Sequence, residues 1–205
     1  KNSNYYINNE KIYTSKNKLL INQNHTKLIG KHNLYNILAS IMISKKFNIS
    51  DEMVSSSLKN FEPLMHRMEK IDLNCETTYI NDSKGTNIFS TICAIDSFKK
   101  NIIIILGGYS SDKIDEKIIT KNINRKNIIS VICYGHVGPT LHSMLKKIKP
   151  TSYYKLFEDA VKNSIKIAKN DDVVLLSPAF KSYDQFKNFE ERGNKFKEIV
   201  KEYYA

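Results

Sequence analysis

The chain has 205 residues, of which 41% are hydrophobic and 26% charged, so it can hold one large domain or one complete domain and part of another. The longest aliphatic run, at 102–106, is far shorter than the roughly 20 residues of a membrane-spanning helix, and no leader sequence is visible, so we expect neither membrane insertion nor a secretory signal. The net charge of +11 comes from scattered lysines, which favours a solvated surface over a nucleic-acid groove.

The first quarter of the chain predicts strands followed by helices. Residues 1–29 alternate short apolar and polar stretches, which is typical of a β-hairpin. From Asn33 onward, apolar residues recur at helical spacing, and a second helix is predicted at 51–61, capped by Ser50 or Asp51. We place a domain boundary between about 60 and 68, which divides the chain into residues 1–64 and 65–205.

Beyond that boundary, apolar strands and helices alternate. The predicted strands are 77–81, 101–108, 128–135, 153–157 and 173–178, and the predicted helices are 88–98, 114–122, 138–147, 158–169 and 184–203. Uniformly apolar strands separated by helices indicate a mostly parallel sheet that is covered on both faces. We therefore predict a Rossmann-like α/β domain.

Cysteine usage points to the cytoplasm. Cys75, Cys93 and Cys133 are far apart, odd in number and form no CxxC pair. Neither a disulfide framework nor a zinc site is supported, and a reducing cytoplasm is the simplest interpretation.

Two polar segments follow predicted strands and carry the functional argument. In YINDSKGTN (79–87) a strand runs into a carboxylate, an ammonium, hydroxyls and a glycine before a helix, a connection that suits a phosphorylated ligand. In 175–193, the strand ending in LLSP leads into a polar turn with Lys181, Ser182 and Tyr183. Both segments lie at carboxyl ends of strands, where open α/β sheets bind ligands.

These segments, together with GKHNLYN (30–36) and HRME (66–69), resemble the carboxy-terminal half of the Mur ligase family from about Leu28 onward. The alternative is an unrelated α/β domain with similar polar loops. The resemblance implies that residues 1–64 are the last part of a P-loop-type central ATP-binding domain and that residues 65–205 are the family's Rossmann-like carboxy-terminal domain.

Within the family, the SYDQFKNF segment (182–189) is most similar to the members that add D-glutamate. The resemblance implies an ATP-dependent amide ligase that joins D-glutamate to UDP-N-acetylmuramoyl-L-alanine through an acyl phosphate in peptidoglycan precursor synthesis. We expect it to be a monomer in the cytoplasm. Other interpretations are a sister ligase that adds another amino acid and a non-catalytic nucleotide-binding or nucleic-acid-binding module.

The sequence contains no G-x-x-x-x-G-K-[ST] loop for ATP phosphates. The resemblance implies that this loop and the ligands of Mg2+ lie upstream of the residues present. We therefore assign no catalytic or metal-binding residue here and expect the fragment to be inactive alone.

The resemblance assigns ATP contacts to five residues: Asn33, Asn36, Arg67, Asp82 and Lys84. The asparagines are implied at the adenine base, where a carboxamide can both donate and accept hydrogen bonds. The alternative for Asn33 is helix capping. His66 is implied as a supporting residue beside Arg67, and Glu69 as a group that orients Arg67.

On the amino-acid side, the resemblance assigns contacts to D-glutamate to five residues: Thr86, Lys113, Ser182, Tyr183 and Phe189. The family has a lysine just after a Gly-Gly pair, but here four residues separate Gly107–Gly108 from Lys113, so Lys181 is a second candidate for that lysine. Phe189 lies on the apolar stripe of its helix, which favours core packing over ligand binding.

Overall fold

The computed structural model describes residues 4–205, and the chain folds as two compact units that divide between Pro63 and Leu64. Residues 1–3, the start of the predicted hairpin, lie outside the described residues. Among residues 4–205, no helix combines the length and the apolar character that crossing a membrane requires.

The first unit is a small antiparallel sheet packed against two helices. Its elements are β1 (Tyr5–Asn8), β2 (Lys11–Thr14), β3 (Leu19–Asn22), α1 (Lys31–Lys46) and α2 (Asp51–Asn60). The predicted hairpin is confirmed by the β1–β2 pairing, and β3 extends it to the sheet order β1-β2-β3. Ile12 and Ile21 pack in one core with Leu34 and Ile37 of α1 because those helix residues share one face. Ser50 caps α2, where its side chain accepts a hydrogen bond from the Met53 N–H.

The second unit is built on a twisted sheet of the order β4-β5-β9-β6-β7-β8. Its strands are β4 (Glu69–Lys70), β5 (Thr78–Asn81), β6 (Ile102–Gly107), β7 (Ile128–Tyr134), β8 (Thr151–Tyr154) and β9 (Val173–Ala179). Strands β5, β9, β6, β7 and β8 pair in parallel, and β4 pairs antiparallel with β5. The predicted α/β class with a mostly parallel sheet is therefore confirmed.

Helices cover both faces of this sheet, as the uniformly apolar strands require. The helices are α3 (Ile88–Ile95), α4 (Glu116–Ile123), α5 (Gly138–Leu145), α6 (Phe157–Ile167) and α7 (Phe189–Tyr203). One core combines Ile103 and Ile105 of β6 with Phe157 of α6 and Phe196 of α7. Since side chains alternate along a strand, Ile104 points to the other face, which α3, α4 and α5 cover.

The parallel pairing brings five carboxyl ends of strands to one edge of the sheet. They are the ends of β5, β9, β6, β7 and β8. Gly107, at the end of β6, has a φ of 148°, and a Cβ there would lie 2.2 Å from the Tyr134 carbonyl oxygen. Glycine therefore lets two of these ends approach closely.

Several features differ from the sequence prediction. Strand β8 spans Thr151–Tyr154 and not 153–157, so Phe157 begins α6 and does not end a strand. Strand β4 was not predicted because two residues carry no periodic signal. The last helix begins at Phe189 and not at 184, because Asn188 caps it by accepting a hydrogen bond from the Glu191 N–H. Upstream, Asp184 and Gln185 use their side chains to bind the backbone of other segments, which holds 184–188 in a turn.

Candidate functional site

The polar residues singled out from the sequence lie largely at the edge where β5, β9, β6 and β7 end. Residues 82–87 connect β5 to α3, and residues 180–188 connect β9 to α7. Since β5 and β9 are paired neighbours, their two connections lie side by side. This is the edge at which open α/β sheets bind ligands.

Both carboxylate oxygens of Asp82 accept hydrogen bonds, and the residue is only 5% exposed. Its Oδ1 accepts from the Met68 N–H at 3.3 Å, and its Oδ2 accepts from the Ser177 hydroxyl at 2.7 Å. Burial raises the pKa of Asp82 to about 6, although these bonds and the nearby Arg67 and Arg192 charges favour the ionised form. Asp82 thus has protein partners that the sequence did not indicate, and its contact with ATP stays a prediction.

Lys84 and Phe189 lie against each other across the two connections. The Lys84 ammonium is 5.3 Å from the centre of the Phe189 ring, within the range of a cation–π contact. The edge of the His66 ring meets Phe189 at a centroid distance of 6.3 Å. Phe189 is half-buried at the first position of α7 and packs against the polar site residues Lys84 and His66.

His66 is buried beside Asn81. Asn81 accepts from the Ser83 N–H through its Oδ1, so its Nδ2 faces the His66 Nδ1 at 3.0 Å and the Gly193 carbonyl at 3.2 Å. This arrangement favours the neutral His66 tautomer that carries its proton on Nε2. Burial lowers the pKa of His66, and the Lys197 charge lowers it further.

Glu69 supports His66, which corrects the expectation that it orients Arg67. Its Oε2 accepts from the His66 backbone N–H at 2.8 Å and from Asn81 at 3.1 Å, while its Oε1 accepts from Lys197 at 3.0 Å. Arg67 is exposed and lies close enough to Asp82 to favour the ionised carboxylate. A guanidinium in that position is available to a phosphate or ribose oxygen.

Arg192 is a site residue that the sequence interpretation missed. It is fully buried, and its guanidinium donates to the Ser83 carbonyl at 2.7 Å, the Ser83 hydroxyl at 2.9 Å, the Tyr134 hydroxyl at 3.0 Å and the Phe180 carbonyl at 3.1 Å. One side chain thus ties together the ends of β5, β7 and β9. An arginine on the apolar stripe of α7, three residues after Phe189, was the available signal.

A pocket of about 230 Å³ opens between the ends of β5, β6 and β9. It brings together Thr86 and Lys113, two of the residues predicted for D-glutamate, and also the alternative lysine, Lys181. Ser182 is 2% exposed and Tyr183 is 64% exposed, and neither lines this pocket. The site therefore has a small pocket that is lined by two lysines and a threonine.

In the first unit, Asn33 and Asn36 have local partners. The Asn33 side-chain amide donates to the Ile29 carbonyl at 2.7 Å, and the Asn36 amide donates to the Asn33 Oδ1 at 3.1 Å. The capping residue of α1 is Gly30, without a side-chain cap bond, so the capping interpretation of Asn33 is wrong. Their role at adenine stays a prediction.

Residues 4–205 contain no cluster of three or more His, Cys, Asp or Glu side chains that could hold a metal ion. The resemblance places the Mg2+ ligands upstream of these residues, and that placement stays a prediction.

Comparison with known proteins identifies the family to which these features correspond. Residues 66–180 match the family model described as the Mur ligase, glutamate ligase domain. The UDP-N-acetylmuramoylalanine--D-glutamate ligase of Oenococcus oeni is 37% identical over 97% of this chain and 45% of its own length. The ligase of the same name from Buchnera aphidicola subsp. Schizaphis graminum is 38% identical over 98% of this chain and 46% of its own length.

Solved structures show the same fold at low identity. The UDP-N-acetylmuramate-alanine ligase of Thermotoga maritima has a TM-score of 0.66 at 16% identity, over 94% of this chain and 43% of its own. The MurF ligase of Thermotoga maritima, solved with ADP, has a TM-score of 0.62 at 12% identity, over 98% of this chain and 46% of its own. The chain spans about half the length of the curated relatives it matches.

Proposed function

The chain belongs to the Mur ligase family, an ATP-dependent family, and from this premise we propose that it is the carboxy-terminal part of a ligase that adds D-glutamate to UDP-N-acetylmuramoyl-L-alanine. The observation that carries the proposal is the meeting of Thr86 and two lysines in one pocket beside the Lys84 connection. The product is a peptidoglycan precursor, and we place the enzyme in the cytoplasm as a monomer.

The choice of D-glutamate rests on the sequence relatives and not on the fold. Relatives that share 37% and 38% identity over nearly the whole chain carry the name of the D-glutamate ligase. Solved neighbours with the same fold include a ligase whose name specifies alanine, at 16% identity. The fold alone therefore does not select the amino acid, and the pocket residues of this chain must do so.

On the nucleotide side, the exposed cations Arg67 and Lys84 support an ATP contact. Both stand beside the connection from β5 to α3, where a helix begins and favours anions. Asp82 holds the start of that connection through Met68 and Ser177. We propose that Asp82 shapes the connection and that Lys84 and Arg67 contact phosphate or ribose oxygens.

On the amino-acid side, D-glutamate carries two carboxylates and one amine. A pocket with ammonium groups and the Thr86 hydroxyl offers charge-assisted and neutral hydrogen bonds to such a ligand. Ser182 is buried in the turn that follows β9, immediately after the pocket residue Lys181, and we propose that it fixes this turn or reaches the ligand through its hydroxyl.

The proposed chemistry has two steps. The L-alanyl carboxylate attacks the γ-phosphorus of ATP, so an acyl phosphate forms and ADP leaves. The D-glutamate amine then attacks the acyl carbon, phosphate leaves, and the amine loses a proton as the amide forms. This chain's residues position the amine, and good positioning can lower such a barrier by about 7 kcal/mol in favourable cases.

The test is an assay of the complete ligase with UDP-N-acetylmuramoyl-L-alanine, ATP, Mg2+ and one amino acid at a time. We expect ADP, phosphate and the amide product with D-glutamate, and little product with L-alanine or diaminopimelate. The isolated 205-residue chain serves as the control and should not turn over. Preferential use of another amino acid by the complete ligase would refute the proposal.

A further inference from the structure

The pocket between β5, β6 and β9 contains two lysines, and the structure distinguishes them. Resting on the proposed function, we infer that Lys181, and not Lys113, supplies the cation that binds a carboxylate of D-glutamate. Both ammonium groups belong to residues that line the pocket. The difference between them lies in the backbone that carries each side chain and in the charges around it.

The backbone that carries Lys181 is fixed at every residue from 179 to 182. Each of these residues has a backbone hydrogen bond to another residue: the Ala179 N–H to the Gly85 carbonyl at 2.9 Å, the Phe180 carbonyl to Arg192 at 3.1 Å, the Lys181 carbonyl to the Tyr109 N–H at 2.7 Å, and the Ser182 carbonyl to the Phe186 N–H at 2.9 Å. The first three bonds reach the ends of other elements that border the site. The ammonium of Lys181 therefore extends from a backbone segment that is already fixed before the ligand binds.

Gly108 adds to this constraint. A Cβ at Gly108 would lie 2.2 Å from the Lys181 carbonyl oxygen, so the absence of a side chain permits the close contact between the end of β6 and the turn after β9. Tyr109 and Lys181 form an isolated antiparallel bridge at this point. A binding group on such a rigid support loses less conformational entropy when it engages its ligand.

Lys113 lies on a different kind of segment. In the loop from 110 to 115, the hydrogen bonds of Ser110 and Asp112 are local: the Asp112 N–H donates to the Ser110 hydroxyl at 3.1 Å. Asp112 precedes Lys113 directly, and Asp115 and Glu116 follow within three residues. Carboxylates this close to Lys113 along the chain compete with a ligand carboxylate for its ammonium.

A buried cation lies next to the turn that carries Lys181. The buried guanidinium of Arg192 donates to the carbonyl of Phe180, the residue that precedes Lys181. Its hydrogen-bond partners in the described structure are carbonyl and hydroxyl oxygens, so its positive charge is not cancelled by a directly bonded carboxylate. The field at the turn after β9 thus favours an anion beside Lys181.

The experiment compares Lys181→Met and Lys113→Met in the complete ligase, with Lys117→Met as the control on the exposed start of α4. We expect Lys181→Met to raise the KM for D-glutamate by about tenfold or more, as for the loss of a charge-assisted bond. Lys113→Met should change that KM by less than about threefold. Lys181→Arg keeps a cation at position 181, so it should keep most of the affinity that Lys181→Met loses.

A second measurement separates a carboxylate contact from a merely structural effect. The wild-type enzyme and Lys181→Met are assayed with D-glutamate, D-glutamine and D-isoglutamine. D-Glutamine and D-isoglutamine each have an amide in place of one of the two carboxylates of D-glutamate. Lys181→Met should abolish the preference for D-glutamate over one of these two amides. If both preferences persist, or if only Lys113→Met raises the KM, the inference is wrong while the proposed function stands. A wild-type enzyme that does not use D-glutamate refutes both.

Discussion

The buried guanidinium of Arg192 leads to a quantitative prediction about the site edge. Arg192→Met keeps an extended side chain but removes all four hydrogen bonds, two of which go to the carbonyl oxygens of Ser83 and Phe180. The Ser83 hydroxyl can still donate to Phe189, whereas each carbonyl loses a charged donor. A buried polar group without a partner costs about 1 to 3 kcal/mol, so the two carbonyls together account for about 2 to 6 kcal/mol.

Removal of the desolvated cation offsets part of this cost, so we expect a net loss of about 3 kcal/mol of unfolding free energy. Urea unfolding followed by far-UV circular dichroism measures the loss, and hydrogen exchange of β5 and β9 amides locates it. The matched control is Lys201→Met on the exposed face of the same helix, which should change stability by no more than about 0.5 kcal/mol.

Arg192 donates hydrogen bonds to Ser83 in the connection from β5 to α3 and to Phe180 in the connection from β9 to α7. In the complete ligase, Arg192→Lys should therefore raise the KM values for ATP and for D-glutamate together. An ammonium cannot reproduce the planar fork of the guanidinium. A stability loss below about 1 kcal/mol in Arg192→Met, or an effect confined to one substrate, would refute the reasoning that this side chain fixes the whole edge.

Further predictions concern single residues. The folded-state pKa of Asp82 is raised from 3.8 to about 6, so the folded chain binds this proton more tightly than the unfolded chain does. The free energy of unfolding should therefore fall by up to about 3 kcal/mol as the pH rises from about 4 to about 6. Urea titrations across this pH range measure the fall, and Asp82→Asn should lack it. Lys84→Ala should raise the KM for ATP by about tenfold with near-normal D-glutamate saturation, and unchanged ATP kinetics would remove Lys84 from the nucleotide site. Ser182→Ala should raise the KM for D-glutamate by about tenfold while ATP kinetics change little, and steady-state kinetics that show no such rise would leave Ser182 a structural residue.

Much of the fold could be predicted because the strands of the second unit are uniformly apolar. A run such as Ile102–Gly107 can be buried on both faces only in a sheet that has helices on both sides. The order of the strands could not be read in the same way. Strand β9 pairs between β5 and β6, although it comes almost at the end of the chain, and no local pattern encodes that neighbour relation.

The site was predictable where its residues are adjacent in sequence. Residues 82–87 form one connection, so their proximity follows from the chain itself. The contacts of Arg192 could not be inferred, because Ser83 and Tyr134 lie 109 and 58 residues away along the chain. The link from Glu69 to Lys197, 128 residues apart, is of the same kind.

The choice between Lys113 and Lys181 also required the structure. Along the sequence, Lys113 follows the Gly-Gly turn and is the natural candidate for the family's lysine. The bridge between Tyr109 and Lys181 shows that the turn after β9 meets the end of β6, and Lys181 is thereby a second lysine that lines the same pocket.

The most direct test of the central claim is the amino-acid dependence of ADP release by the complete ligase with UDP-N-acetylmuramoyl-L-alanine, read together with the mass of the product. The account predicts ADP release that saturates with D-glutamate and a product heavier than the substrate by one glutamyl residue. ADP release that depends on a different amino acid, or that forms no amide product with D-glutamate, would contradict it.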